Sequence, residues 1–154
     1  MKNLLKLSKA LNSLNLSIES GQIIALAVKK KVMIWKKPHL AEEMEELESA
    51  ANKLNLDIFD LKKAWDAGKL KKLKLEDWKN LENSDSWSVT SVEEATKIAK
   101  KYDRDIDSIL LADKLPAPII LFTENEKPYL ISGNTRLMVC RVLGYTPTIF
   151  ALKI

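Results

Sequence analysis

The stretch that decides the fold runs from Tyr129 to Gly144, YLISGNTRLMVCRVLG. Tyr129-Leu130-Ile131 reads as a short strand. Ser132-Gly133-Asn134-Thr135-Arg136 reads as a small polar turn, and an apolar helix follows and closes at Gly144. A glycine, short hydrogen-bonding side chains and an arginine at a strand-to-helix junction answer either of two needs. Ser132, Asn134 or Thr135 can each cap the helix. Alternatively, free N–H groups at the helix start and a nearby arginine make an anion site that holds a phosphate.

Outward from this turn the sequence alternates strand and helix signals. LPAPIILFTENEKPYLIS gives two strands, Ile119 to Phe122 and Pro128 to Ile131, joined by an Asn-containing turn. Pro116 and Pro118 confine the first of them to start at Pro118 or later. PTIFALKI reads as a closing strand. Upstream, SVEEATKIAKKY carries a capping box, Ser91 with Glu94, and Val92, Ala95, Ala99 and Tyr102 on one face. Asp105 can cap a short helix through Ile109. AEEMEELESAANKL places Met44, Leu47, Ala51 and Leu54 at helical spacing. Asp57 caps the next helix, with Phe59, Leu61, Ala64 and Trp65 as its apolar positions and Gly68 as its end. A short helix is expected around Leu75, Trp78 and Leu81. Trp65, Trp78 and Trp87 read as core anchors. The fold class expected is α+β, with a small mixed β-sheet and a helical N-terminal half: residues 1–90 mainly helical, residues 91–154 the sheet-bearing core.

The chain of 154 residues is 46% apolar, enough for one cored domain with a helical appendage. Leu4, Leu7, Leu11, Leu14 and Ile18 recur at three- and four-residue steps with Lys6, Lys9, Asn12 and Asn15 between them, an amphipathic helix rather than a signal peptide. No window is apolar enough to span a bilayer, so a soluble, cytoplasmic protein without a membrane partner is expected. A single cysteine, Cys140, and a single histidine, His39, exclude an internal disulfide and any Cys- or His-built metal cluster. Cys140 lies in the apolar run LMVC and reads as a buried thiol.

Charge comes in blocks. Residues 1–40 hold eight lysines and one acid, Glu19, and residues 41–60 reverse the balance. Alternating blocks read as solvated helix faces. KKKVMIWKK, with Lys29, Lys30, Lys31, Lys36 and Lys37, is the best basic-aromatic candidate for a nucleic-acid surface. Its alternation fits an edge strand equally well. No Walker-type glycine loop, GxGxxG or HExxH occurs.

Residues 115–154 resemble the ParB/sulfiredoxin superfamily. A proline-led strand PIILF, a hairpin, YLISGNTR, a helix ending in Leu143-Gly144 and a last strand follow that superfamily's order. Gly133 matches the glycine and Arg136 the final arginine of its phosphate-binding box. LENSDSWSVTSVEEA is similar to standalone, phage-type relatives that carry a GNTRLM box. Asn134 stands where sulfiredoxin has its catalytic cysteine and where ParB has glutamate, so sulfinic-acid reductase chemistry is not expected. Thr135 replaces a basic residue, and Met138 stands where partition proteins often carry a further arginine. No helix-turn-helix follows before Ile154, so a chromosome-partition clamp is not expected.

The resemblance and the residues together imply a nucleotide- or phosphate-binding protein, an ATPase or phosphotransferase if it turns over. Ser132, Gly133, Asn134, Thr135 and Arg136 would form the site, flanked by Tyr129, for ATP, ADP or CTP with Mg²⁺. Phosphoryl transfer also needs a carboxylate, sought in Glu124, Glu126 or one of the helical acids. The alternative is a DNA-binding or DNA-processing accessory protein of ParB-like nuclease type. Lys29, Lys30, Lys31, Lys36, Lys37 and Arg141 would then contact the backbone.

Overall fold

The computed structural model describes residues 33–154. The amphipathic segment over residues 4–18 and Lys29, Lys30 and Lys31 lie outside the described residues. The elements are β1 (Ile34–Lys36), α1 (Leu40–Leu54), α2 (Ile58–Asp66), β2 (Lys69–Lys72), α3 (Leu75–Lys79), α4 (Val92–Lys101), α5 (Ile106–Leu111), β3 (Lys114–Pro116), β4 (Ile119–Phe122), β5 (Tyr129–Ser132), α6 (Asn134–Leu143) and β6 (Thr148–Lys153). The class is α+β. The main sheet is mixed, in the order β2-β6-β4-β5. β6 runs parallel to β4, whereas β2 pairs with β6 and β5 with β4 antiparallel. β1 and β3 form a separate parallel pair.

Both faces of the main sheet are covered, which explains why β4 and β6 read as continuous apolar runs. Side chains of successive strand residues point to opposite faces. Ile119, Leu121, Phe150 and Leu152 pack on one face against Leu47, Leu61 and Trp65 of α1 and α2. Ile120, Ile149 and Ala151 pack on the other against Trp78, Leu137 and Cys140 of α3 and α6. Trp65 meets Phe150 edge-on, with ring centroids 4.9 Å apart. That contact fixes Gly68: a Cβ there would lie 2.4 Å from the Phe150 ring. The glycine ending α2 therefore permits a close approach, and the C-cap itself is Ala67.

Local signals are realised where they are self-contained. Asp57 accepts from the Phe59 N–H, Ser91 from Glu94 and Asp105 from Asp107. Four apolar positions read on helix faces lie outside: Leu54 is 36% exposed, Phe59 66%, Leu75 57% and Tyr102 58%. β2 arises in the segment KLKK, inside the region read as helical, and all four of its residues are exposed. It is held by pairing with β6, Lys69 opposite Ala151 through Lys72 opposite Thr148. Its lysines protect a sheet edge from further pairing. Helices α1 and α2 share their core with β4 and β6, so residues 33–90 and 91–154 bury one another's apolar surface.

Candidate functional site

The turn from β5 into α6 stands at one end of the sheet. Gly133 is the N-cap, with φ 113° and ψ 21°, and no side chain caps the helix. Capping by Ser132, Asn134 or Thr135 is therefore not what the turn does. The first intrahelical bond runs from the Leu137 N–H to the Gly133 carbonyl, 3.0 Å. The N–H groups of Asn134, Thr135 and Arg136 belong to the first turn, which has no intrahelical acceptor. Gly133 is required twice over. Its φ suits glycine, and a Cβ would lie 2.6 Å from Pro118 Cβ and 2.8 Å from Pro118 Cα.

Two of the side chains that could have capped the helix, Asn134 and Ser132, are engaged elsewhere. Asn134 Oδ1 accepts from Ser84 Oγ at 2.7 Å, and its Nδ2 donates to Asp85 Oδ1 at 2.7 Å. The loop that supplies these partners is pinned by β5. The Glu82 N–H donates to the Pro128 carbonyl, the Leu130 N–H to the Glu82 carbonyl, and Asn83 Nδ2 to the Leu130 carbonyl. Below the loop, Trp78 Nε1 donates to the buried Ser86 Oγ at 2.9 Å, and Ser86 and Ser84 hydroxyls are 2.7 Å apart. Ser84 has one proton, given to Asn134, so Ser86 must donate to Ser84. The result is a one-way chain from Trp78 through Ser86 and Ser84 to Asn134.

Arg136 lies beneath the turn. Its Nη1 donates to the Pro116 carbonyl and its Nη2 to Ser132 Oγ at 3.3 Å. Nη2 is also the third atom against Gly133, 3.1 Å from where a Cβ would stand. Burial pushes the guanidinium below its usual range, opposed chiefly by Glu43. Glu43, on α1, faces Ser132 and Arg136. Burial raises its carboxyl above the ordinary value, and a hydrogen bond from Ser132 and the charge of Arg136 hold it back. Arg136, Ser132 and Glu43 thus form a second polar row across the turn. Cys140 lies one helical turn on, buried, its thiol pushed up to about 12 by desolvation.

No protein-family model matches the chain, and no curated protein or solved structure is similar to it.

The structure brings Ser132, Gly133, Asn134, Thr135 and Arg136 into one turn and adds Glu43, Ser84 and Asp85 to it. Tyr129 stands at the other end of β5, about 10 Å along at ~3.3 Å per residue, near Glu82. Glu124 and Glu126 are exposed in the β4–β5 turn, at that same far end. The carboxylates at the site are Asp85 and Glu43, the latter one acid among many in AEEMEELE. Its neighbourhood to Ser132 comes from packing between α1 and β5, which no local pattern encodes. Arg141 is occupied: its Nε donates to the Trp87 carbonyl at 2.8 Å and its guanidinium lies 3.8 Å from the Trp87 ring centroid. Lys36 and Lys37 are exposed, with Lys37 Nζ 5.4 Å from the Phe150 ring centroid. No group of three or more metal-ligating side chains occurs among the described residues. No helix among them is long and apolar enough to cross a membrane.

Proposed function

We propose that the β5–α6 turn binds the phosphates of a nucleotide. The observation that carries this is the uncapped first turn of α6. Its cap is a glycine with no side chain over the N–H groups, while Ser132 and Asn134, two side chains that could cover them, are bonded elsewhere. The helix dipole adds about 0.3–1 kcal/mol for an anion there, up to ~2 when partly buried. Arg136 supplies its charge from below the turn, against Gly133. The resemblance of this turn to the ParB/sulfiredoxin box supports the same reading.

Asp85 supports a metal-bearing form of the ligand. It is exposed, and its carboxylate is bonded to Asn134 at the helix start. Mg²⁺ keeps several waters and uses one or two carboxylates beside substrate phosphates, a donor set that this single acid fits. The described residues do not fit a cation held by protein groups alone. If the site turns over, Glu43 is the carboxylate to test as proton acceptor, because it is hydrogen-bonded to Ser132 within the turn and burial raises its pKa. A cytoplasmic setting agrees with the buried free thiol.

The test is calorimetric titration with ATP, ADP and CTP, each with and without Mg²⁺, of the wild type and Thr135→Asp. An aspartate in the first turn favours the helix by about 0.3–1 kcal/mol yet repels phosphate. Saturable heat with a Mg²⁺-nucleotide, absent in a variant whose unfolding transition is unchanged or raised, is the expected result. Silence with every nucleotide, or equal binding by Thr135→Asp, would overturn the proposal.

A further inference from the structure

The chain has three arginines, and two of them are spoken for. Arg136 is bonded to Pro116 and Ser132, and Arg141 to Trp87. The guanidinium of Arg104 is engaged by no hydrogen bond or ion pair among the described residues. Arg104 is exposed in the turn after α4, its backbone N–H held by the Ala99 carbonyl at 2.7 Å. The acid that follows it, Asp105, is committed to the start of α5, where it accepts from Asp107 and Ser108. We infer that the Arg104 guanidinium takes a second phosphate, just outside the one held at the β5–α6 turn, so that the site selects a di- or triphosphate over a monophosphate. This rests on the phosphate reading of that turn.

The path of the chain carries Arg104 to the turn. The loop before α4 starts where Asp85 meets Asn134 and passes along α6 to Arg141, which holds the Trp87 carbonyl. Helix α4 then begins at the far end of α6, where Val92 and Ala95 line one cleft with Val142 and Leu143. Further on, Ile98 packs in the cluster that holds Met138. The two helices are therefore antiparallel. At ~1.5 Å per residue, Val92 to Lys101 covers about 14 Å and Val142 back to Asn134 about 12 Å, so the end of α4 comes level with the start of α6. Arg104, folded back onto Ala99, stands there. Charge agrees: burial, and behind it the like charge of Arg104, push Arg136 below its usual range. Lys100 and Lys101, exposed in the last turn of α4, keep the approach positive. The two arginines divide the work. Arg136 lies under the turn with its donors bonded to protein groups, whereas Arg104 has its planar fork of donors free, the geometry that suits a phosphate.

Calorimetric titration of the full chain with ATP and CTP, and with AMP and CMP, all with Mg²⁺, tests this on the wild type, Arg104→Gln, Arg104→Lys and Thr135→Asp. The wild type should prefer a triphosphate to its monophosphate. Arg104→Gln should weaken the triphosphate about ten- to hundredfold, the effect of losing a hydrogen bond between charged groups, and leave the monophosphate as in the wild type. Arg104→Lys, which keeps the charge without the fork, should fall between. The urea midpoints of both Arg104 variants should match the wild type, because the side chain is exposed and without a partner among the described residues. A triphosphate bound equally by the wild type and Arg104→Gln, but not by Thr135→Asp, would overturn this inference and leave the reading of the turn standing. Equal weakening of mono- and triphosphate by Arg104→Gln would overturn it as well, since a diffuse effect of charge would then suffice. No binding by the wild type, or binding unchanged in Thr135→Asp, would overturn both.

Discussion

Replacing Gly133 by alanine separates two demands that the structure places on one residue. A left-handed backbone costs a residue with a Cβ about 1–2 kcal/mol. At φ 113° that term applies to Gly133, and at φ 75° it applies to Gly144. Gly144 is surrounded by nothing within 4 Å of an added Cβ, so Gly144→Ala carries the conformational term alone. At Gly133 the added Cβ meets Pro118 at 2.6 and 2.8 Å, and the second of these atoms is backbone. Forcing apart packed groups costs a further ~1–3 kcal/mol. Gly133→Ala should therefore lose about 2–5 kcal/mol, a large share of a typical stability of about 5–15 kcal/mol. Urea unfolding followed by the fluorescence of the buried Trp65 and Trp78 measures both variants, with unchanged m-values as the check on two-state behaviour. Losses that agree within about 0.5 kcal/mol would refute the contact between the turn and Pro118.

Two further perturbations address the polar rows that flank the turn. Burial raises the Glu43 carboxyl above its ordinary value of 4.5, so over the window above that value the folded chain holds a proton that the unfolded chain releases. Stability should then fall as pH rises from about 4.5 through the folded pKa, because the folded state binds more protons there. Glu43→Gln removes this term: its stability relative to wild type should improve from acidic to neutral pH, read as a urea midpoint series, and a pH-independent difference would sink the argument. In the other row, Ser86→Ala leaves the buried Trp78 Nε1 without an acceptor and should cost about 1–3 kcal/mol. The exposed Ser88→Ala should stay within about 0.5 kcal/mol, and equal losses in chemical denaturation would show that the Trp78 bond contributes nothing.

The sequence announces what its neighbours in the chain determine. Strands β4, β5 and β6 and the extent of α6 follow from apolar runs bounded by proline, glycine and short polar residues. Asp57, Ser91 and Asp105 cap where expected because each needs only an N–H two or three residues on. What depends on distant partners is not written locally. KLKK has no strand signature and becomes β2 only because β6 offers it a free edge. The pairing of β1 with β3 joins residues far apart in the chain. At the site, the turn was legible from Ser132 to Arg136, but the use of its side chains was not. A pattern of short polar residues before a helix signals capping, yet Asn134 is drawn to Ser84 and Asp85, and Ser132 to Arg136 and Glu43. Those partners come from the loop before α4 and from α1, so the sequence could mark the turn but not the two acids beside it.

The two acids bear directly on what kind of anion the proposed site accepts. Arg136 contributes one positive charge and the start of α6 about half a charge more. Glu43 and Asp85, when ionised, contribute two negative charges, so the immediate balance is slightly negative rather than positive. Asp85 is the exposed one, bonded through Asn134 to the helix start itself. A bare phosphate approaching the free N–H groups meets that carboxylate at short range. A phosphate that brings a divalent cation converts the same carboxylate from a repulsive neighbour into a ligand. Glu43 acts differently, because its carboxylate is hydrogen-bonded to Ser132 and faces the Arg136 charge. On the proposed reading the turn therefore discriminates between metal-bearing and metal-free phosphates through Asp85, and the difference between titrations with and without Mg²⁺ reports on that one residue more than on Arg136.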